Sequence, residues 1–266
     1  MKDRTNDLAR IEQALAVAGR VLSGFRSGHL EAAAKANSDP VTEADLAVDR
    51  ALRNELVRPG EAWMSEETAD DPARLSASRV WVVDPLDGTK EFVQGLPEWC
   101  VSIALVEDGE AVAGGILNPA ADFVALGAQG LGCRLNGVAV RPSALAELAR
   151  ASVLASRTEV TKGQWDQWRG TGLDVEPMGS VAYKLARVAC GLSDATWTLV
   201  PKNEWDVAAG VAMLLAAGGW AVTLEGELPR FNQPNTLLSG LIATGPGLAG
   251  RLSPQSLAAG ILTLVN

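Results

Sequence analysis

Arg79-Val80-Trp81-Val82-Val83-Asp84-Pro85-Leu86-Asp87-Gly88-Thr89 runs from an apolar, β-branched segment straight into a loop of acids, proline and glycine. This is the pattern of a strand that stops abruptly in a tight turn. Two carboxylates three residues apart at the carboxyl end of a strand can converge on one site. Hard divalent cations take oxygen ligands, and Mg²⁺ in particular takes a few carboxylates together with waters and phosphate oxygens. Pro85 stiffens the loop, and Gly88 lets the backbone approach a ligand closely. The Gly88 and Thr89 amides would then face an anion, above all if a helix starts there. D-x-x-D-G is equally good turn chemistry, so both readings stand at this point.

Before this stretch, residues 5–34 carry apolar positions at helical steps, with Leu8, Ile11, Leu15, Ala18 and Leu22 on one face until the pattern fades near Ser27-Gly28. Lys35–Pro40 reads as a polar loop. Thr42 is placed as an N-cap with Asp45 in the capping-box position, opening a helix that ends near Pro59-Gly60. Beyond Thr89, the spans 101–106 and 111–117 read as strands around the turn Glu107-Asp108-Gly109-Glu110. More strand is expected at 123–128 and 132–135, with Asn136-Gly137 as a second turn. The later part alternates. Strands are expected at 152–155, 195–199, 220–224 and 239–244. Helices are expected at 161–168, from Gly179-Ser180 to Gly191, from Trp205-Asp206 to Gly218-Gly219, and at 246–259. No repeat or linker divides the chain. A soft boundary near residue 142 separates an N-terminal α+β half, 1–142, from a C-terminal α/β half, 143–266.

The chain has 266 residues, of which 47% are hydrophobic, enough for one large core or two closely packed ones. A net charge of −9 argues against a nucleic-acid polymer as partner, which would call for a basic face. A small anion is still compatible, because a bound cation reverses the local sign. Cys100, Cys133 and Cys190 are odd in number and scattered, as expected of reduced thiols in a cytoplasmic protein. The N-terminus lacks an apolar signal segment, and no apolar run reaches about 18 residues, so no membrane span is expected.

Several other residues could carry chemistry or merely structure. Ser65-Glu66-Glu67-Thr68 reads as a solvated acidic loop or as a source of one metal ligand. Thr42 and Asp45 cap a helix, and Asp206 begins an apolar one. Gly179-Ser180 caps a helix or presents a backbone amide pair to a ligand. Lys35 is a solvated lysine or a phosphate partner. His29 is the only histidine, which leaves no Ser-His-Asp or Cys-His arrangement and no zinc cluster. Chemistry must therefore rest mainly on carboxylates, which favours a metal-ion mechanism.

Lys35…Asp39-Pro-Val-Thr42-Glu-Ala-Asp45, Ser65-Glu66-Glu67, Asp84-Pro-Leu-Asp87-Gly-Thr89, Gly179-Ser180 and Trp205-Asp206-Val-Ala-Ala-Gly210, in this order, resemble the inositol monophosphatase superfamily. The motifs span residues 35–210. The resemblance implies an α+β fold, a layered α-β-α-β-α sandwich with the active site between its halves, and a Mg²⁺-dependent phosphomonoesterase using two or three ions. It implies that Glu66, Asp84, Asp87 and Asp206, with the Leu86 carbonyl, bind metal. Glu66 and Thr89 would orient the attacking water, with Asp45 supporting Thr89. The Gly88 and Thr89 amides would hold phosphate, and Lys35 would lie nearby.

Inositol-specific members are similar to one another in carrying a glutamate seven residues before the Trp-Asp aspartate. Here that position is Leu199. Lys184, on the helix opened by Gly179-Ser180, instead resembles a lysine of the 3′(2′),5′-bisphosphate nucleotidases. The expected substrate is therefore a small phosphorylated metabolite, foremost adenosine 3′,5′-bisphosphate, with Lys184 and Lys202 meeting its second phosphate and Tyr183 either stacking on its base or serving as a core residue. Inositol 1-phosphate or a sugar phosphate such as fructose 1,6-bisphosphate is the alternative, and a non-catalytic binding protein on the same scaffold a remote one. Either a monomer or a homodimer fits the resemblance.

Overall fold

A computed structural model describes residues 2–29, 33–34, 40–252 and 257. Two amphipathic helices open it. α1 (Thr5–Leu22) buries Leu8, Ile11, Leu15 and Ala18, and α2 (Glu43–Leu56) buries Val48, Leu52 and Leu56. α1 is shorter than the sequence periodicity suggests, because the chain leaves the helix through Ser23-Gly24 and turns at Gly28. α2 starts on the expected capping box, in which the Thr42 amide donates to Asp45 Oδ2 at 2.8 Å.

Seven strands follow, each paired with the next in one sheet. They are β1 (Ala62–Ser65), β2 (Arg79–Asp87), β3 (Cys100–Glu107), β4 (Glu110–Asn118), β5 (Phe123–Ala128), β6 (Gly132–Leu135) and β7 (Val138–Val140). Only β1 and β2 are parallel; the remaining pairs are antiparallel. Asp108 and Gly109 both adopt positive φ, the conformation of the tight hairpin turn that joins β3 to β4. The apolar run of β2 is continuous because both of its faces are covered. Trp81 and Val83 pack under α1 and α2, while Val80 and Val82 join the core on the other side.

A second, five-stranded sheet is built from β8 (Ser152–Ser156), β9 (Asp174–Met178), β10 (Ala195–Thr198), β11 (Trp220–Val222) and β12 (Leu241–Thr244), in the order β9-β8-β10-β12-β11. Between the sheets lie α5 (Val181–Ala189) and α6 (Glu204–Ala216), which follow α3 (Thr89–Val93) and α4 (Arg157–Thr161) in the chain. Gly114 lets α6 lie against the first sheet, since a Cβ there would come within 2.4 Å of the Ala209 carbonyl. On the outer side of the second sheet, Trp165, Trp168 and Trp197 pack together with Val153, Ala155 and Ile242. The helical turns Asp166–Trp168 and Pro246–Leu248 complete that layer, giving an α-β-α-β-α sandwich.

Three local expectations change. The helix expected over 161–168 is divided into α4 and a 3₁₀ turn, because Gly163 takes a φ of +73° between them. The expected helix over 246–259 begins as the 3₁₀ turn Pro246–Leu248, and much of its remainder lies outside the described residues. Tyr183 is buried edge-on against Phe123, with ring centroids 5.1 Å apart, so it is a core residue with no face for stacking on a base.

Candidate active site

The parallel pairing of β1 and β2 sets Ser65 beside Val83. The residue that follows each of them in the chain is an acid, Glu66 just past β1 and Asp84 on β2, and the Glu66 amide donates to the Val83 carbonyl at 3.3 Å. Asp49, buried on α2, fastens the loop that carries Glu66 by accepting from Ser65 Oγ at 2.5 Å and Thr68 Oγ1 at 2.8 Å. Asp206 arrives from α6, where its carboxylate also accepts from the Asn203 amide at 3.1 Å. One carboxylate oxygen from each of Glu66, Asp84 and Asp206 lies within 4.8 Å of the other two.

Asp87 stands slightly apart from this group. A bulge between Asp84 and Asp87 opposes three steps on β2 to two on β3, which re-aims the second aspartate. Its Oδ2 accepts from Ser180 Oγ at 2.7 Å and from the Ala182 amide at 2.6 Å. Asp87 is thus anchored to the start of α5, and Ser180 is a support for a carboxylate as well as a helix cap. The Gly179 amide, expected to face a ligand, donates instead to Glu98 Oε2 at 2.7 Å. Ser180 holds a φ of +54°, which its bonds to Asp87 and to the Tyr183 amide sustain.

Gly88 begins α3 in the left-handed region, with φ +95°, and a Cβ there would sit 2.7 Å from the Glu98 carbonyl. Glycine is required on both counts. Thr89 follows, and its hydroxyl is 2.9 Å from both Asp45 Oδ1 and the Leu86 carbonyl. Asp45 is buried and also accepts from the Thr42 amide and hydroxyl. One residue therefore caps α2 and holds Thr89 at the cleft floor.

Glu66, Asp84, Asp87, Thr89 and Asp206 line a cleft of about 240 Å³ together with Lys184 and Lys202. Lys184 is buried and donates to the carbonyls of Met178 at 3.3 Å and Ser180 at 3.0 Å. Burial lowers its ammonium to a pKa of about 8 against the pull of Asp87. Lys202 Nζ is 3.8 Å from the buried Glu159 carboxylate. Lys35 lies outside the described residues. Sequence reasoning missed Glu98, Glu159 and Arg157, the last of which also lines the cleft. No local pattern marks them, since the contacts that bring them to the cleft, Arg157 with Glu98, Glu98 with Gly179 and Glu159 with Thr198, span 39 to 81 residues.

Burial, then the like charges of Glu66, Asp87 and Asp206, push the Asp84 carboxyl well above the usual carboxylate range. Burial and the charges of Asp87 and Glu66 do the same to Asp206. Such a cluster is costly unless a cation neutralises it. An all-oxygen set of converging carboxylates matches the preference of a hard divalent ion, so these residues fit a metal.

The sequence profile of the inositol monophosphatase family matches residues 4–265. The inositol-1-monophosphatase of Rhizobium meliloti is 33% identical over 207 residues, covering 74% of this chain and 77% of that protein. The 3′-phosphoadenosine 5′-phosphate phosphatase of Mycobacterium bovis is 36% identical over 196 residues, 71% of each protein. The structure of an inositol monophosphatase from Anabaena superimposes with a TM-score of 0.75 at 26% identity, covering 97% of this chain and 96% of that one. Among the described residues no helix is long and apolar enough to cross a membrane. The chain belongs to the inositol monophosphatase family and is a phosphomonoesterase.

Proposed function

We propose that this enzyme hydrolyses a small metabolite bearing two phosphates, foremost adenosine 3′,5′-bisphosphate, to AMP and phosphate, with Mg²⁺ as cofactor. The presence of Lys184 and Lys202 in the same cleft as the acidic group carries this reading. A scissile phosphate is met by the cations the carboxylates hold, and a second phosphate calls for cations of the protein's own. Leu199 supports the same choice. It packs against the tryptophan-rich layer and offers no acceptor to a ring hydroxyl. The Mycobacterium bovis relative, named for a 3′,5′-bisphosphorylated adenosine, points the same way.

In this reading Glu66, Asp84, Asp87, Asp206 and the Leu86 carbonyl hold two or three Mg²⁺. Bound Mg²⁺ acidifies a coordinated water and offsets charge on the phosphoryl oxygens and on the departing alkoxide. The chain does the positioning. Asp45 Oδ1 takes the Thr89 hydroxyl proton in a hydrogen bond, which leaves a Thr89 Oγ1 lone pair to accept from the attacking water. Glu66, just past β1, orients the same water. The Gly88 and Thr89 amides hold the phosphate, and Ser180 and Gly179 keep Asp87 and the start of α5 in place. A cytoplasmic location, a monomer or homodimer, and a division of the chain near residue 142 belong to the same proposal.

A parallel kinetic screen of adenosine 3′,5′-bisphosphate, inositol 1-phosphate and fructose 1,6-bisphosphate with Mg²⁺ tests it. The bisphosphorylated nucleotide is expected to have the highest kcat/KM. A tenfold advantage for inositol 1-phosphate would reject the nucleotidase reading in favour of the activity named for the Rhizobium meliloti relative.

A further inference from the structure

We infer that Arg157, together with Lys202, forms the subsite that selects a substrate with a second anionic group, and that Glu98 and Glu159 hold these two cations in position. This rests on the bisphosphate reading and names the residues that would enforce it.

Both cations line the catalytic cleft, whereas Glu98 and Glu159 are absent from its lining. Each base is thus backed by a carboxylate from outside the cleft. Arg157 is 39% exposed, and its Nη2 bonds both Glu98 oxygens and the Pro177 carbonyl at 3.3 Å. Among the described residues its hydrogen bonds run through Nη2 alone and its Nε is buried without a partner, which leaves Nη1 for a ligand. Glu98 Oε2 also accepts the Gly179 amide at 2.7 Å, which ties Arg157 to the start of α5 and through it to the segment that anchors Asp87. Glu159, outside the cleft, is fixed by Thr198 Oγ1 at 2.6 Å and Trp165 Nε1 at 3.2 Å, and stands 3.8 Å from Lys202 Nζ.

α4 supplies one member of each pair, Arg157 to the cleft and Glu159 behind it. A guanidinium with one nitrogen uncommitted and a lysine in the same cleft match the charge of a phosphate or sulfate group, and such charge-assisted bonds are strongest when held in place beforehand. Lys184, which spends two of its hydrogens on backbone carbonyls, has less capacity for this task.

The test compares Arg157→Gln with wild type on adenosine 3′,5′-bisphosphate against adenosine 3′-monophosphate, and on fructose 1,6-bisphosphate against fructose 1-phosphate. The ratio of kcat/KM for bisphosphate over monophosphate should fall roughly 10- to 100-fold, mainly through the KM of the bisphosphate. Arg157→Lys should recover part of the ratio, because it restores the charge without the fork. Calorimetric binding of adenosine 3′,5′-bisphosphate to the protein without divalent cation should weaken in parallel. An unchanged ratio, or an equal loss on both substrates of a pair, overturns the assignment. The wild-type ranking of nucleotide, inositol and sugar phosphates tests the nucleotidase reading separately, so either can fail alone.

Discussion

Replacing Thr89 by valine keeps the β-branched shape at the first position of α3 and removes only the hydroxyl. In the structure that hydroxyl lies 2.9 Å from Asp45 Oδ1 and 2.9 Å from the Leu86 carbonyl. Asp45 is buried, and its Oδ2 stays satisfied by Thr42, but Oδ1 loses its donor. Leaving a buried acceptor of this kind unpaired costs about 1–3 kcal/mol, so a drop of a few degrees in melting temperature is expected. The catalytic effect is of a different size. If Thr89 Oγ1 receives the proton side of the attacking water, its loss removes a positioned proton acceptor, a contribution of the order of 100-fold or more in kcat. KM should change little, since the hydroxyl is assigned to the water and not to the substrate. Thr89→Ser restores the oxygen and should return kcat to within about tenfold. Phosphate release under saturating Mg²⁺, with thermal melts of the same preparations, separates the two effects. A valine variant that melts lower yet turns over within threefold of wild type would refute the role given to Thr89.

Gly88→Ala should destabilise by at least about 1–3 kcal/mol, since it combines an unfavourable φ of +95° with a Cβ 2.7 Å from the Glu98 carbonyl; urea unfolding measures this. Acid sensitivity has a separate source. Burial would raise Glu61, but bonds from Arg10 and Trp81 bring it down to about 2, and Arg4 and Lys2 hold Glu107 at about 2 despite its burial. Both lie below the ordinary glutamate value of 4.5, so their stabilisation is present above pH 4.5 and is lost as pH falls towards 2. Allowing for solvent screening, the two together contribute on the order of 2 kcal/mol. Glu61→Gln should be less stable than wild type at pH 7, with the gap closing towards pH 3. A constant gap across that range contradicts the ion-pair account. Ser180→Ala should lower kcat and raise the Mg²⁺ concentration needed for half-maximal activity, because Asp87 loses one of its two anchors; unchanged metal dependence argues against that support.

Much of this was legible from one sequence because the decisive residues serve local structure and chemistry at once. Thr42 and Asp45 form a capping box whose acid also reaches Thr89, so a helix-start signal marked a site residue. The unbroken apolar run of β2 marked a strand, and the two acids at its end marked a candidate metal site, while burial on both faces is visible only in the packing. β1 went unnoticed: four residues after Pro59-Gly60 give too short a pattern, and its parallel pairing comes from a distant segment. β9 was hidden by Pro177, which an edge strand tolerates because its outer side has no ladder to break. Arg157, Glu98 and Glu159 could not be read, because their roles depend on tertiary contacts alone. The bulge that separates Asp87 from the other carboxylates was equally invisible, since it exists only in the pairing of β2 with β3.

Relief by a bound cation of the mutual repulsion among Glu66, Asp84 and Asp206 is the central prediction for this cleft. Asp84→Asn keeps the shape and an oxygen for the bond from the Leu86 amide while removing one buried charge. Mg²⁺ titration of wild type and this variant, followed by melting temperature and by phosphate release, tests that directly. The expected result is a wild type stabilised and activated by Mg²⁺, beside a variant that melts higher than wild type without metal, gains no stability from Mg²⁺ and shows no turnover. Mg²⁺-stimulated turnover near the wild-type level in Asp84→Asn would contradict the assignment of the site.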